Sequence, residues 1–240
     1  MSLPDSVGVV EEWLEAIVRA LSALANPIKA GPMSSYMKDV APFLGIQAPD
    51  RRRAVRSVEG HFPTPTASEL AELARRLWLL PEREYQYAAC DILARQERIL
   101  ALDFLASTIQ PLLIDRPWWD TVDYLGSAVI SPVTARTPES VELMWNWGRS
   151  DNKWLKRAAI QHQRGRKGST DIDLLLGMCD MHATDREFFV AKAIGWALRD
   201  MTPWFPAEVR DFLTSHPTLS AVARREAERG LARIAHSHLP

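Results

Sequence analysis

A fourfold repeat constrains the fold of this chain more than any other feature. In each copy an acidic residue is followed three positions later by an aromatic residue, and then by an apolar stretch with helical spacing: Glu82 with Tyr85, Asp115 with Trp118, Asp151 with Trp154, and Asp185 with Phe188. The acidic residues are 33, 36 and 34 positions apart. A period near 35 residues with two helices per unit is typical of helical solenoids, whose equivalent helices line one concave face. We therefore predict an all-α solenoid.

The acidic residue of each copy is predicted to be a helix N-cap, because its side chain can accept unpaired backbone N–H groups. Pro117 would then lie in the first turn of its helix, where proline is tolerated. Apolar spacing predicts helices at 11–24, 67–80, 84–100, 118–130, 138–147, 154–163, 172–181, 188–198, 207–213 and 221–234. Residues 25–47 are predicted to be an irregular connection with one short helix near Tyr36. Prolines such as Pro111 and Pro138 are expected to separate helices. Since no linker divides the chain, we predict one helical-repeat domain over residues 1–240.

Composition favours a globular protein, with 47% hydrophobic and 25% charged residues among 240. No apolar run approaches the roughly 20 residues of a membrane span, and the first residues lack the features of a secretory signal. Cys90 and Cys179 suggest no disulfide framework, and neither has a metal-ligand neighbour. His236 and His238 match known ligand spacings poorly. We expect a cytoplasmic protein that needs no metal or other cofactor and does not bind membranes.

The formal net charge of −1 conceals two segregated basic stretches. Residues 152–170 contain no acidic side chain and hold Lys153, Lys156, Arg157, Arg164, Arg166 and Lys167. A second cluster comprises Arg51, Arg52, Arg53 and Arg56. Either stretch could form one basic binding surface or simply a solvated helix face, and charge alone leaves both alternatives open.

Asp123 departs from the repeat in a way that suggests chemistry. Eight positions after the acidic residue, the other three copies carry the small residues Cys90, Ala159 and Ala193. A carboxylate in such a position must find a partner or face a groove. Trp119 lies one helical turn before Asp123, and an anion beside an indole suits a developing positive charge. The alternative is that Trp119 belongs to the core and that Asp123 caps a helix or forms a local salt bridge.

Helix geometry brings further residues towards the face of Asp123. Trp196 lies three positions after Ala193 and can share that face two repeats later. Lys156 lies three positions before Ala159 and is predicted to share it as well. Arg157, two positions before Ala159, should point nearly the opposite way unless the register of the repeat slips. A cation on this face could bind phosphate.

Several segments together resemble the AlkD-type alkylpurine DNA glycosylase family. They span residues 33–199 in the order of the family: YMK at 36–38, PFLGI at 42–46, WWDTVD at 118–123, WLKRAAI at 154–160 and FFVAKAIGWALR at 188–199. The resemblance implies a HEAT-like solenoid with a concave, basic, DNA-binding groove. It also implies hydrolysis of the N-glycosidic bond of cationic N3- or N7-alkylated purines in duplex DNA, without extrusion of the base.

The resemblance also assigns roles to residues. Asp123 corresponds to the catalytic aspartate, and Trp119 and Trp196 to the two tryptophans that flank the lesion sugar. Arg157 corresponds to a phosphate-contacting arginine and Tyr36 to a tyrosine of the groove. We add Lys38, Lys156, Arg164 and Arg166 as DNA-binding candidates, although helix geometry favours Lys156 over Arg157.

Two functions are therefore open. The first is a monofunctional glycosylase, expected to act as a monomer in a bacterial cytoplasm. Since some relatives protect antibiotic producers from their own DNA-alkylating products, the sequence leaves open both self-resistance and housekeeping repair. The second is a non-catalytic solenoid that binds DNA or protein. The set of Trp119, Asp123 and Trp196 favours the enzyme.

Overall fold

The structure is a computed structural model that describes the backbone of residues 6–237 and the side chains of residues 8–234. None of these residues forms a β-strand, which confirms the predicted all-α class. The helices are α1 Ser6–Ser22, α2 Pro27–Tyr36, α3 Ala48–Glu59, α4 Ala67–Leu79, α5 Arg83–Arg95, α6 (Leu102–Phe104, Leu105–Ile109 and Gln110–Ile114), α7 (Trp119–Leu125, Gly126–Ile130 and Ser131–Ala135), α8 Ser140–Gly148, α9 Lys153–Gln161, α10 Ile172–Met181, α11 Phe188–Met201, α12 Pro206–Ser215 and α13 Ala221–Ser237. Within this described part, no helix combines the length and apolar character needed to cross a bilayer. The side chains of His236 and His238 lie outside the described residues.

Two helices were missed, and one proline was wrongly assigned to a boundary. The sequence reading placed no helix at α3 or α6, and α2 is longer than the short helix expected near Tyr36. Pro111 was expected to separate helices but lies inside α6. The turn before it is π-helical, and Gln110 N–H donates to the carbonyl of Leu105, five residues back. The wider turn accommodates a residue that has no N–H to donate, so α6 continues through the proline. Pro132 follows a π-helical turn of α7 in the same way.

The acidic residues of the repeat do not cap the helices as predicted. Asp115 follows the last residue of α6 as its C-cap, and α7 begins only at Trp119, so Pro117 precedes that helix. Asn152 and Glu187, rather than Asp151 and Asp185, are the N-caps of α9 and α11. Glu82 does occupy the N-cap position of α5, but its side chain accepts no capping hydrogen bond. The repeat is real in spacing, but its acidic residues serve different local purposes.

By its internal contacts the chain divides into two compact units, Met1–Thr121 and Val122–Pro240. The boundary falls within α7, and the single domain predicted over residues 1–240 stays a prediction. In the first unit, α1 packs on α3 and α4, and α5 packs on α3 and α4. The core positions of α1 are Val10, Trp13, Ile17 and Leu21, spaced as one helical face, and α4 begins with a capping box between Thr66 and Glu69.

The arginine cluster of α3 is partly consumed inside the first unit. Arg51 is buried and donates to Asp91 of α5 at 2.9 Å, and Arg52 contacts the other oxygen of the same carboxylate. Arg53 pairs with Asp50 on its own helix. The cluster of Arg51, Arg52, Arg53 and Arg56 is therefore not a simple surface array, because its first member holds α3 onto α5.

A buried carboxylate fixes the loop that precedes α3. Glu84 is 0% exposed, and its two oxygens accept backbone N–H groups from Leu44, Gly45 and Ile46 at 2.8–3.0 Å. Gly45 has a φ of +87°, and a Cβ atom there would lie 2.1 Å from the carbonyl oxygen of Asn26. Only glycine fits this turn. The PFLGI segment at 42–46 is thus fixed by the carboxylate of Glu84 on α5 as well as by its own buried residues, Phe43 and Ile46.

Replacement of Glu84 by glutamine is expected to lower the free energy of unfolding by about 3 kcal/mol, because the amide turns a donor towards buried N–H groups. Chemical denaturation measures the loss. The matched control is Glu82→Gln, since this side chain makes no capping hydrogen bond and its replacement should stay within roughly 0.5 kcal/mol. Equal stability of the two variants would contradict the role given to Glu84.

In the second unit, α9 and α11 pack together, and α11 packs on α13. The small residues Ala159 and Ala193, predicted to allow close approach, are fully buried in these helices. Their equivalent in the first unit, Cys90, is also fully buried, and burial raises the pKa of its thiol. This repeat position is therefore a core position wherever its residue is small.

Candidate functional site: a carboxylate among cations

Asp123 is held by an arginine of a neighbouring helix. Its Oδ1 accepts Nε of Arg157 and its Oδ2 accepts Nη2 of Arg157, both at 2.7 Å. This is a bidentate pair, the strongest geometry that a carboxylate and a guanidinium can adopt. The carboxylate lies in the second unit, and its side chain is 15% exposed. Asp123 is thus paired with Arg157 and remains partly exposed to solvent.

Arg157 is more deeply buried than the acid it holds. Its side chain is 2% exposed, and the remaining nitrogen, Nη1, donates to the backbone carbonyl of Phe189 at 2.8 Å. All three guanidinium nitrogens are therefore engaged, two by Asp123 and one by α11. In this arrangement Arg157 orients the carboxylate and supplies its counter-charge.

The prediction that Lys156 rather than Arg157 shares the face of Asp123 is wrong. Lys156 does share a side of α9 with Ala159. The side chain that reaches Asp123 on α7 must instead leave α9 from the flank that faces α7, and Arg157 occupies that flank. Lys156 instead pairs with Asp185 at 3.2 Å. Together they border a shallow basin of about 460 Å³, which also includes His182. Burial lowers the pKa of His182, so its imidazole adds little positive charge to this basin near neutral pH.

Trp196 lies among cations. Its ring centroid is 5.3 Å from the guanidinium carbon of Arg157 and 5.0 Å from that of Arg164. Lys192 and Arg199 lie at 5.8 Å and 5.7 Å. The structure thus brings Trp196 and Asp123 together through Arg157, as the sequence indicated. Lys192 and Arg199 were missed, although their positions four before and three after Trp196 place them on its helix face.

The loop after α9 presents further basic residues. Gly165, with a φ of +85°, donates its N–H to Asp200 at 2.8 Å, and Gly168 lies against the ring of Trp204. Arg166 does not project freely, because it donates to the carbonyl of Ser131 and to Thr134, and burial lowers its pKa. Arg164 lies over the ring of Trp196, and Lys167 is exposed.

The other predicted site residues belong to the first unit. Trp119 is half-buried in the first turn of α7. Tyr36 ends α2 and is 75% exposed, and Lys38, with a φ of 62°, is exposed just after it. Their predicted roles at DNA stay predictions.

The second aspartate of WWDTVD has a structural role. Asp120 pairs with the buried Arg83 and accepts the hydroxyl of Tyr87. Burial, and after it the charge of Asp120, raise the pKa of Tyr87 above its usual value. Arg83 also donates to Thr121 at 2.9 Å. This network fixes the start of α7, and with it the position of Trp119. The described residues contain no group of three side chains suited to hold a metal ion.

The fold and this site define an all-α helical-repeat protein with one carboxylate held by an arginine that also lies over a tryptophan ring. Residues 17–231 match the sequence model of the family described as DNA alkylation repair enzyme, and the chain belongs to that family. A solved structure described as a predicted DNA alkylation repair enzyme from Enterococcus faecalis is 29% identical, with a TM-score of 0.79 over 87% of this chain and 97% of that one. A comparison with curated proteins found no match. The chain therefore has a role in repair of alkylated DNA, and the family implies that it binds DNA.

Proposed function

We propose that this protein is a monofunctional DNA glycosylase that hydrolyses the N-glycosidic bond of cationic N3- or N7-alkylated purines in duplex DNA. The observation that carries the proposal is the carboxylate of Asp123. It occupies a position that is small and fully buried in the other repeats, yet it is partly exposed and paired with Arg157, which also lies over Trp196. Family membership, and the likeness to a predicted alkylation repair enzyme, support the same conclusion.

The chemistry follows from the free lone pairs of Asp123. A carboxylate offers about four acceptor positions, and Arg157 uses two of them. The remaining two can face a deoxyribose whose C1′ gains positive charge as the bond to the base breaks. The bonding electron pair leaves with the alkylated purine, which becomes neutral. Water adds to C1′ and releases its proton to Asp123 or solvent. The family resemblance assigns contacts with the sugar to Trp119 and Trp196.

Two features favour simple hydrolysis over a lyase mechanism. No lysine lies in WWDTVD, and the amines of Lys156 and Lys192 are paired with Asp185 and Glu226, which disfavours formation of a Schiff base. A base that is already cationic needs no general acid to leave. Catalysis directed at the sugar requires no extrusion of the base and no cofactor, so we include bulky adducts among the substrates. We place this activity in a monomer in the bacterial cytoplasm.

A non-catalytic DNA-binding scaffold is the second candidate, and one observation favours it. The bidentate pair of Asp123 and Arg157 could serve packing alone, as a local salt bridge. Incubation with methylated duplex DNA, followed by chromatography of free 3-methyladenine and 7-methylguanine, separates the two candidates. Binding without release of either base would favour the scaffold.

Affinity for duplex DNA is expected to depend on the uncompensated cations of the loop at 164–168. Double replacement Arg164→Gln and Lys167→Gln should lower the slope of log affinity against log salt by about one to two, because each lost phosphate contact releases fewer counterions. Fluorescence anisotropy at several salt concentrations measures the slope. Lys156→Gln is the matched control, since Asp185 already compensates its charge. An unchanged slope in the double variant would mean that the cations of this loop face solvent and do not contact DNA phosphates.

A further inference from the structure

Helices α11 and α13 are in backbone contact at two glycines. A Cβ atom added at Gly195 would lie 2.8 Å from Cβ of Glu226, and one added at Gly230 would lie 3.2 Å from Cα of Arg199. Larger side chains would force the helices apart. The close approach sets Glu226 of α13 directly against the flank of α11 that carries Trp196.

Glu226 organises the cations around it. It is 4% exposed and pairs with Lys192 at 2.9 Å, with Arg229 at 3.2 Å and with Arg199. Burial alone would raise the pKa of Glu226, but the hydrogen bond from Lys192 and the surrounding positive charges outweigh it, and the pKa is lowered. A single ionised carboxylate therefore holds three cations in fixed positions.

Two of these cations, Lys192 and Arg229, border a basin with an excess of positive charge. Its volume is about 320 Å³, and its lining is Phe188, Lys192, Val222, Arg225, Glu226 and Arg229. Arg225 is exposed and forms no ion pair within the described part of the chain. Glu226 is thus the one carboxylate among four cations, of which Lys192, Arg199 and Arg229 pair with it and Arg225 does not. Phe188, 53% exposed, adds an apolar edge.

We propose that this basin binds a backbone phosphate of duplex DNA, at a nucleotide flanking the sugar that faces Asp123. Lys192 lines the basin, Arg199 pairs with Glu226 of its wall, and both lie near Trp196, so the positive charge continues from Trp196 to α13 within the second unit. A guanidinium such as that of Arg225 suits phosphate oxygens, and the edge of Phe188 suits a deoxyribose. The inference rests on the proposed function, to which it adds the last helix as part of the DNA interface.

The test is the affinity of the whole protein for a short, fluorescein-labelled, undamaged duplex. The double variant Arg225→Gln/Arg229→Gln should raise Kd roughly 5-fold and lower the salt slope by about one. Arg210→Gln is the matched control, because it removes an exposed arginine from α12 of the same unit. A double variant that binds like Arg210→Gln would overturn the inference.

Two further measurements keep this result interpretable. Circular dichroism shows whether α13 is intact. The single variant Arg225→Glu breaks no ion pair within the described chain, and it should weaken binding more than Arg225→Gln does. Equal affinity of these two single variants would also count against the basin. Because undamaged DNA is the probe, weakened binding by the double variant upholds the basin even if the wild type releases no alkylated base, an outcome that would overturn only the glycosylase.

Discussion

Replacement of Asp123 by asparagine is expected to slow release of 7-methylguanine from methylated duplex DNA by about 10²–10³. The change keeps the size of the side chain but removes the negative charge that would stabilise the sugar cation. Single-turnover kinetics with enzyme in excess measures this step without the influence of product release. Release by the variant at the wild-type rate would exclude Asp123 as the catalytic group.

The same substitution also disturbs an ion pair, so a structural control is needed. Asparagine would turn an N–H donor towards Arg157, where the wild type has two acceptors. Asp185→Asn is the matched variant, because Asp185 pairs with Lys156, and Lys156 lies on α9 next to Arg157. If both variants lose similar stability in denaturation and only Asp123→Asn loses base release, the effect is chemical. A parallel loss of activity in both would indicate damage to the second unit.

A neutral lesion such as 1,N6-ethenoadenine is expected to be released more slowly than 7-methylguanine by roughly 10²–10⁴, the usual contribution of a general acid. A neutral base must be protonated as it leaves, and the described side chains in contact with Asp123 or Trp196 are poor acids. They are Arg157, Arg164, Lys192 and Arg199. Three of these groups are guanidiniums, which do not give up a proton in proteins, and the ammonium of Lys192 is held in an ion pair by Glu226.

Adduct size is expected to matter far less than adduct charge. Duplexes carrying a methyl adduct, a bulky cationic N3-adenine adduct and a neutral lesion, compared under one condition, give the order of rates. Faster release of the neutral lesion than of 7-methylguanine would contradict a mechanism that depends on the leaving group's charge. Failure on every bulky adduct would point to an enclosed base pocket.

The exceptional residue of the candidate site was visible in the sequence, whereas its partner was not. Asp123 stood out because three equivalent positions hold small residues, so one carboxylate breaks a pattern that packing imposes. Arg157 could not be identified from periodicity, because it acts across helices and periodicity describes only one helix at a time. The resemblance named it, but as a phosphate contact. In the structure its nitrogens are committed to Asp123 and Phe189.

Similar reasoning explains which helices were predicted. The face of α10 is regular, and its predicted bounds, 172–181, agree with the structure. Helix α3 was missed because four of its twelve residues are arginines, and Arg51 is buried through Asp91, a contact that no local pattern encodes. Helix α6 was missed because proline normally ends a helix, and a π-helical turn removes that restriction.

The two π-helical turns have a consequence for comparing this chain with its relatives. A turn closed by a bond to the fifth residue back holds one residue more than an α-helical turn, as between Gly126 and Ser131 in α7. A relative with a regular α-helix there would be one residue shorter within the helix itself, between Asp123 and Pro132. Alignments that forbid gaps inside helices would then displace either the carboxylate or everything that follows it. The sequences of family members should therefore be aligned separately before and after this turn. Only then can an aspartate equivalent to Asp123 be called present or absent.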